Sequence, residues 1–306
     1  MILLCGVPSE PPLLRVREEL EALGAPCVLF HQRRFEEMEL ELVLDGTRVG
    51  GRLRVGDRDY PLESFRGVYL RLMDDRLLPE LEGEPEESPR RRACRELHDA
   101  LLHWCEIAPA RVVNRAGPMS TNSSKPYQAQ LIRRHGFAVP ETLVTNDPDA
   151  VRAFRQRHGR VVYKSVSGVR SVVQELAEAD LARLDRIRWC PTQFQAFVEG
   201  TDLRVHAVGG EVFATAIRTG ATDYRYAERE GAEAELRPAE LPDALARRCV
   251  ALARALGLAF AGIDLRISPD GRVFCFEVNP SPAFTFYEAH TGQPIARAVA
   301  SYLAGV

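Results

Sequence analysis

Lysine is nearly missing from this chain: of its 40 basic residues, 38 are arginine, and only Lys125 and Lys164 are lysine. A genome's base composition can trade one cation for the other, so the bias alone excludes little. It does mark the two exceptions. An ammonium is a compact point charge on a slim stem, whereas a guanidinium is a wide planar fork, so a lysine kept here suits a cramped phosphate site. No run of about 18 apolar residues occurs, which excludes a membrane-spanning helix. The start, Met1-Ile2-Leu3-Leu4-Cys5-Gly6, has no basic lead and reads as a first strand rather than a secretory signal. The seven cysteines include no Cys-x-x-Cys pair, which argues against a zinc site or disulfide framework and for reduced thiols in a cytoplasm. There is no basic excess: the net charge is −3, so nucleic acid is not the expected partner. Gly-x-Gly-x-x-Gly and the Walker pattern Gly-x-x-x-x-Gly-Lys-Ser/Thr are both absent, so neither a dinucleotide fingerprint nor a P-loop is offered.

What is present fills two or three domains: 306 residues, 45% of them hydrophobic. Residues 1–117 form a first unit. A strand at 2–5, a helix with Leu13, Val16, Leu20 and Leu23 on one face, and a strand at 27–30 make a β-α-β opening, hence an α/β layer. Residues 38–44 and 48–55 flank Asp45-Gly46 as a hairpin. Residues 67–72 are a further strand, 78–89 an acidic exposed loop, and 90–107 a helix. The second unit, 118–191, opens with a helix capped by Ser123 or Ser124 and closed by Gly136. A helix from Asn146-Asp147-Pro148 and a strand at 161–164, ending in the second lysine, follow. The third unit, 192–306, has an extended segment at 193–198 and a hairpin turning on Gly209-Gly210. A helix at 242–256 and a last hairpin, 260–267 with 272–278, complete it.

That last hairpin carries the clearest chemistry. Glu277 and Asn279 are two apart and share a strand face. Folding on Ser268-Pro269-Asp270-Gly271 brings Asp264 opposite Glu277. Two carboxylates and an amide oxygen are the hard donors magnesium takes, with waters and phosphates completing the shell. Facing acids on a half-buried ribbon repel unless a cation lies between them; the plainer reading is a pair of solvated acids at a strand end. On the strand at 202–208, Asp202, Arg204 and His206 share one face. An acid and a base there can take a ribose hydroxyl and a phosphate oxygen, or can be an ordinary polar outer face, and His206 reads as a satisfied sheet residue rather than a base. Lys164 precedes Ser165-Val166-Ser167-Gly168-Val169-Arg170-Ser171, a small-residue loop whose amides can cover phosphates.

Several segments resemble one family. They are Asn122-Ser123-Ser124-Lys125, Gln195-Ala196-Phe197-Val198, Asp202-Leu203-Arg204 with Val208-Gly209-Gly210, and Thr291-Gly292-Gln293-Pro294-Ile295-Ala296. With both lysines and the order Asp264…Glu277-Val278-Asn279, residues 112–304 resemble the ATP-grasp superfamily, and within it the RimK-like ligases. Tyr69-Leu70-Arg71 and Asp223-Tyr224-Arg225 look more like the maturases that crosslink ribosomal peptides, the graspetide synthetases. The resemblance implies an α+β fold of two subdomains clasping ATP, a lid at 118–191 and a metal-bearing subdomain at 192–306, preceded by an α/β pre-ATP-grasp domain at 1–117. It implies that Lys125 and Lys164 contact phosphates. Gln195, Ala196, Phe197 and Val198 would read adenine, with Asp202 holding the ribose. Arg204 would neutralise the transferred phosphoryl group, and Asp264, Glu277 and Asn279 would hold two magnesium ions, manganese being an alternative. Arg218 and Arg225 would hold the substrate carboxylate, or serve as surface charges. After Asn279 the chain runs Pro280-Ser281-Pro282-Ala283 rather than the family's Pro-Gly.

The implied reaction makes an acyl phosphate from a carboxylate and ATP, then an amide or ester, with ADP and phosphate released. The implied substrate is a peptide or protein side chain, in a cytoplasmic enzyme that can form a homo-oligomer, a dimer or tetramer. Two other readings use the same residues: a ligase adding glutamate or a similar amino acid, and a nucleotide-binding regulatory protein without turnover.

Overall fold

The computed structural model describes residues 1–166, 173–219 and 234–306. The first layer opens as predicted with β1 (Ile2–Gly6), α1 (Pro11–Ala22) and β2 (Cys27–His31), β1 and β2 pairing in parallel. Prolines at the start of α1 cost nothing, since the first helical N–H groups have no partner to lose. The hairpin β3 (Met38–Asp45) and β4 (Arg48–Val55) gains a third strand, β5 (Arg58–Pro61), too short and polar for its pattern to announce it. The chain returns through β6 (Gly67–Arg71), α2 (Pro89–Ile107) and β7 (Arg111–Val113), completing a parallel sheet in the order β2-β1-β6-β7. All of β1 is buried, as a central parallel strand covered on both faces must be. The acidic stretch before α2 is less exposed than its charge suggests. Leu78 and Leu81 are buried against Phe35 and Cys94, anchoring it by two apolar side chains at helical spacing.

A short α3 (Ala116–Met119) leads to α4 (Lys125–Arg134). Then come β8 (Thr142–Thr145), α5 (Pro148–His158), β9 (Val161–Ser165), β10 (Gln174–Glu175), α6 (Glu178–Leu181) and β11 (Thr192–Ala196). Their strands form an antiparallel sheet, β10-β9-β11-β8, over a small core of Val151, Phe154, Val161 and Phe194. Asp147 caps α5, its carboxylate accepting the Asp149 N–H at 3.0 Å.

The third layer is built from β12 (Thr201–Val208), β13 (Glu211–Thr219), β14 (Ala234–Ala239), α7 (Asp243–Ala255), β15 (Phe260–Ile267), β16 (Val273–Asn279), α8 (Thr285–Thr291) and α9 (Ile295–Ala304). The sheet order is β14-β13-β12-β15-β16, with β12 in the middle. One face packs on α7, through Leu245, Cys249 and Leu252 against Leu203, Val205 and Cys275. The other carries α9, whose Val299 and Leu303 share a core with Ile2, Leu13 and Val16. The first and third layers are therefore joined by common apolar burial. Asn114 adds a polar stitch: its Nδ2 donates to the carbonyls of Phe260 and Pro280 at 2.6 Å each, and its Oδ1 accepts from the N–H groups of Ala259 and Phe260 at 2.8 and 3.1 Å.

Candidate active site

The tripeptide Asp-Leu-Arg occurs on β12 and again on β15, and the strands run antiparallel. The register sets Asp202 opposite Arg266 and Arg204 opposite Asp264. Side chains two apart share a face, so the repeats give two reciprocal ion pairs. Arg266 grips Asp202 at 2.6 and 2.8 Å, and Arg204 Nη1 meets Asp264 at 2.6 Å. This is not an ordinary outer face: Arg204 is 5% exposed and His206 fully buried. Tyr287 of α8 closes over both, its ring centroid 5.5 Å from the Arg204 guanidinium carbon and 4.9 Å from the His206 ring. His206 Nε2 lies 3.5 Å from Arg204 Nε, which donates to it, while its Nδ1 has no partner among the described residues. Burial, and then Arg204, hold His206 well below its usual pKa. It is a neutral prop for Arg204.

Asp264 pairs directly across the ribbon with Glu277. Immediately afterwards the register slips, so that Leu265 faces Cys275 and Phe276 is passed over. Such a bulge re-aims side chains. Cys275 turns into the core beneath α7, and both Phe276 and Glu277 line the cleft. Strict alternation would have sent Phe276 to the face away from Glu277. Gly262, opposite Asn279, is required by close approach. A Cβ there would stand 2.2 Å from Arg204 Nη2 and 2.8 Å from Pro282 Cβ.

Lys125 is the first residue of α4 and reaches Glu277, also donating to Asn122 Oδ1 at 2.8 Å. Gln128 holds the helix in place. Its Nε2 donates to the Val278 carbonyl at 2.9 Å, and its Oε1 accepts the Val278 N–H at 3.0 Å. Spaced by three on a helix, Lys125 and Gln128 face one strand together. Burial pushes the Glu277 carboxyl up, but Lys125, with Lys164 and Arg204 behind it, outweighs that and leaves it below the usual carboxylate value. Asn279 Oδ1 accepts the Ser281 N–H at 2.9 Å. Ser281 Oγ in turn accepts from Arg71 Nη1 at 2.6 Å, and Arg71 Nε is fixed on Glu10 at 3.0 and 3.1 Å. The first layer thus reaches the loop after Asn279.

Between the β10-β9-β11-β8 sheet and the central sheet lies an open cleft, about 840 Å³ with the solvent at its mouth included and about 120 Å³ as a cavity proper. It brings together Lys164, Gln195 to Val198, Asp202, Asp264 and Glu277. Lys125 joins Lys164 on the wall of an adjoining cavity. The donors fit magnesium of one kind. Among the described residues no cluster of three or more His, Cys, Asp or Glu exists, so there is no all-protein cage. Asp264, Glu277 and Asn279 suit an ion that brings phosphate and water ligands with it. Arg218 is exposed on β13, on the face opposite Thr215 and Ile217, which are paired with Arg204 and Asp202. The structure does not bring it to the acids. Arg225, with Asp223 and Tyr224, lies outside the described residues, as do residues 167–172 of the small-residue loop. Gln128 and Arg266 fall in no motif singled out in the sequence, and Arg71 stood out only as part of the Tyr69-Leu70-Arg71 resemblance, with no contact assigned to it. The repeated Asp-Leu-Arg was a signal for Arg266.

A family model described as a RimK-like ATP-grasp domain matches residues 122–303. A probable alpha-L-glutamate ligase of Aliivibrio salmonicida (strain LFI1238) is 29% identical over 215 residues, 67% of this chain and 70% of that protein. The ATP-grasp ligase PsnB, solved with a minimal precursor, matches with a TM-score of 0.79 at 30% identity, covering 99% of this chain and 98% of PsnB. The macrocyclase MdnC, bound with precursor peptide MdnA from Microcystis aeruginosa MRC, has a TM-score of 0.82 at 24% identity over 100% of this chain and 99% of MdnC. The expected fold, an ATP-grasp pair of α+β layers behind an α/β layer, is the one observed. By its fold and by a family match across more than half its length, this chain belongs to the RimK-like ATP-grasp family.

Proposed function

We propose that the chain is an ADP-forming ligase that converts a carboxylate of a peptide substrate to an acyl phosphate and joins it to an amine or hydroxyl. The physical obstacle is charge, since a carboxylate must approach a phosphate that repels it. Lys125 and Lys164 would bind phosphate oxygens, and Arg204, held by Asp264 and His206, would face the transferred group. The hinge backbone at Ala196 to Val198 would read adenine, and Asp202 the ribose. Two magnesium ions on Asp264, Glu277 and Asn279 would add Lewis-acid stabilisation of the phosphoryl oxygens. The two sheets would exclude water from the acyl phosphate.

One observation carries the peptide reading. The likeness to PsnB, solved with a minimal precursor, spans the first layer as well as the ATP-grasp layers, 99% of this chain at 30% identity. The probable glutamate ligase matches 67% of it, which keeps glutamate ligation as the second reading. Incubation with ATP, magnesium and acidic peptides bearing Lys or Thr, followed by mass spectrometry and an ADP assay, separates the two. The peptide reading expects loss of one water per bond formed. Gain of a glutamyl residue, when glutamate is supplied, would replace it with the second reading. Nucleotide binding without ADP release for any acceptor would overturn both.

A further inference from the structure

The two Asp-Leu-Arg repeats do different work. Arg204 leans toward the metal ribbon. Arg266, two residues along β15, leans toward the hinge that joins β11 to β12. Its Nε and Nη2 fork onto the two oxygens of Asp202 at 2.6 and 2.8 Å, and its Nη1 donates to the Val198 carbonyl at 2.7 Å. Its guanidinium carbon lies 5.6 Å from the Phe197 ring centroid and 5.3 Å from that of Phe276, the residue the bulge turned into the cleft. The side chain is only 15% exposed and forms part of the cleft wall.

We propose that Arg266 is the positioning residue for nucleoside recognition: it fixes the ribose-binding carboxylate and the base-reading hinge as one rigid unit, and so makes the site select a ribonucleotide over its 2′-deoxy analogue. This rests on the nucleotide reading above. The argument is geometric. Asp202 stands at the start of β12, next to the exposed Thr201, where a short carboxylate alone would be free to rotate. A bidentate fork sets the plane of the carboxylate. An ionised carboxylate has about four acceptor positions, so two remain for ribose hydroxyls, now aimed by the fork. The third bond reaches Val198, in the segment that would pair with the base, so base and sugar contacts share one rigid support. A lysine could not replace it, because a point charge cannot grip both oxygens in plane and a carbonyl besides.

The test is calorimetric binding of ATP, ADP and 2′-deoxyATP, with magnesium, to the full chain and to Arg266→Met, Arg266→Lys, Asp202→Asn and the Asp202→Asn/Arg266→Met double variant. Wild type is expected to prefer ATP over 2′-deoxyATP by about fivefold or more, the worth of one or two directed hydrogen bonds. Both Arg266 variants are expected to bind ATP roughly tenfold more weakly and to lose the sugar preference, lysine included. The double variant is expected to bind no more weakly than Arg266→Met, because Arg266 acts through Asp202. A merely structural role would lower the melting temperature and leave the sugar preference intact, and that result overturns the proposal. So does multiplication of the two single effects. If Arg266→Met fails to fold, Arg266→Lys decides the matter. Should wild type bind neither ATP nor ADP, the nucleotide reading itself falls. If wild type binds and the Arg266 variants match it, only this inference falls.

Discussion

Replacing Lys125 by methionine keeps the stem and deletes the charge, and the pH dependence of the damage is set by Glu277. The paired side chains are 12% and 25% exposed. Breaking a buried pair generally costs about 3–5 kcal/mol, because one charge is left uncompensated. Glu277 keeps a quarter of its exposure, and Lys164 and Arg204 still face it, so about 2 kcal/mol is the reasonable share here. For a chain of this size that is a fall of about 3 °C in melting temperature. The sign with pH follows from linkage. In wild type the Glu277 carboxyl is held below its ordinary value of 4.5, so its contribution is present above that value and lost as pH falls through the depressed one. In the variant, burial still pushes the carboxyl up while only Lys164 and Arg204 oppose it, so its pKa should rise above the wild-type one. Ionised Glu277 then destabilises at neutral pH, and the penalty fades as the group protonates. The stability gap between the two proteins should therefore be full at about pH 7 and shrink as pH falls below 4.5 and through the depressed value. Urea unfolding at both values, without nucleotide, measures it, and Glu277→Gln added to the variant should restore part of the loss. A gap of equal size at both pH values would refute the reasoning, as would a double variant no more stable than the single one.

Three further outcomes are expected. Lys164→Met should lower ADP release about 100-fold or more with little change in melting temperature; normal turnover would remove the phosphate assignment. Glu277→Gln should raise the magnesium concentration needed for half-maximal nucleotide binding several-fold, while an unchanged titration would dismiss the metal ribbon. Gly262→Ala should cost about 1–3 kcal/mol by forcing Arg204 or Pro282 aside, and should impair turnover more than nucleotide binding. Wild-type turnover in that variant would show that Arg204 need not sit where it does.

The facing of Asp264 and Glu277 was legible because two rules sufficed for it: side chains alternate, and a hairpin folds on its turn. Those rules set Asp264 against Glu277 without any tertiary information. They could not reveal the slip after Asp264, because a bulge adds one residue that the pattern does not mark, and so the place of Phe276 in the cleft was missed. Lys125 stood out by rarity. Arg266 was hidden by the reverse effect, one arginine among 38, distinguished only once β12 and β15 were set in register. The burial of Arg204 and His206 also escaped, since it depends on α8, which folds back from far along the chain. So did the joining of α9 to α1, a contact between the two ends of the sequence that no local periodicity encodes.

The scarcity of lysine now has a physical meaning at one position. Each acid of the site has its cation: Arg266 for Asp202, Arg204 for Asp264, Lys125 for Glu277. The two arginines are fixed by their surroundings, Arg266 by the hinge carbonyl and Arg204 by Tyr287, His206 and the space left at Gly262. Lys125 carries its charge on a flexible stem, steadied at the tip only by Asn122 besides Glu277. On the proposed reading, magnesium would compete with Lys125 for the Glu277 carboxylate, so the cation on that acid would have to leave it and follow the phosphates. An arginine there would grip both oxygens and oppose the exchange. On that reading, this is the one acid of the three whose partner has to be a mobile point charge, which a lysine supplies and an arginine would not.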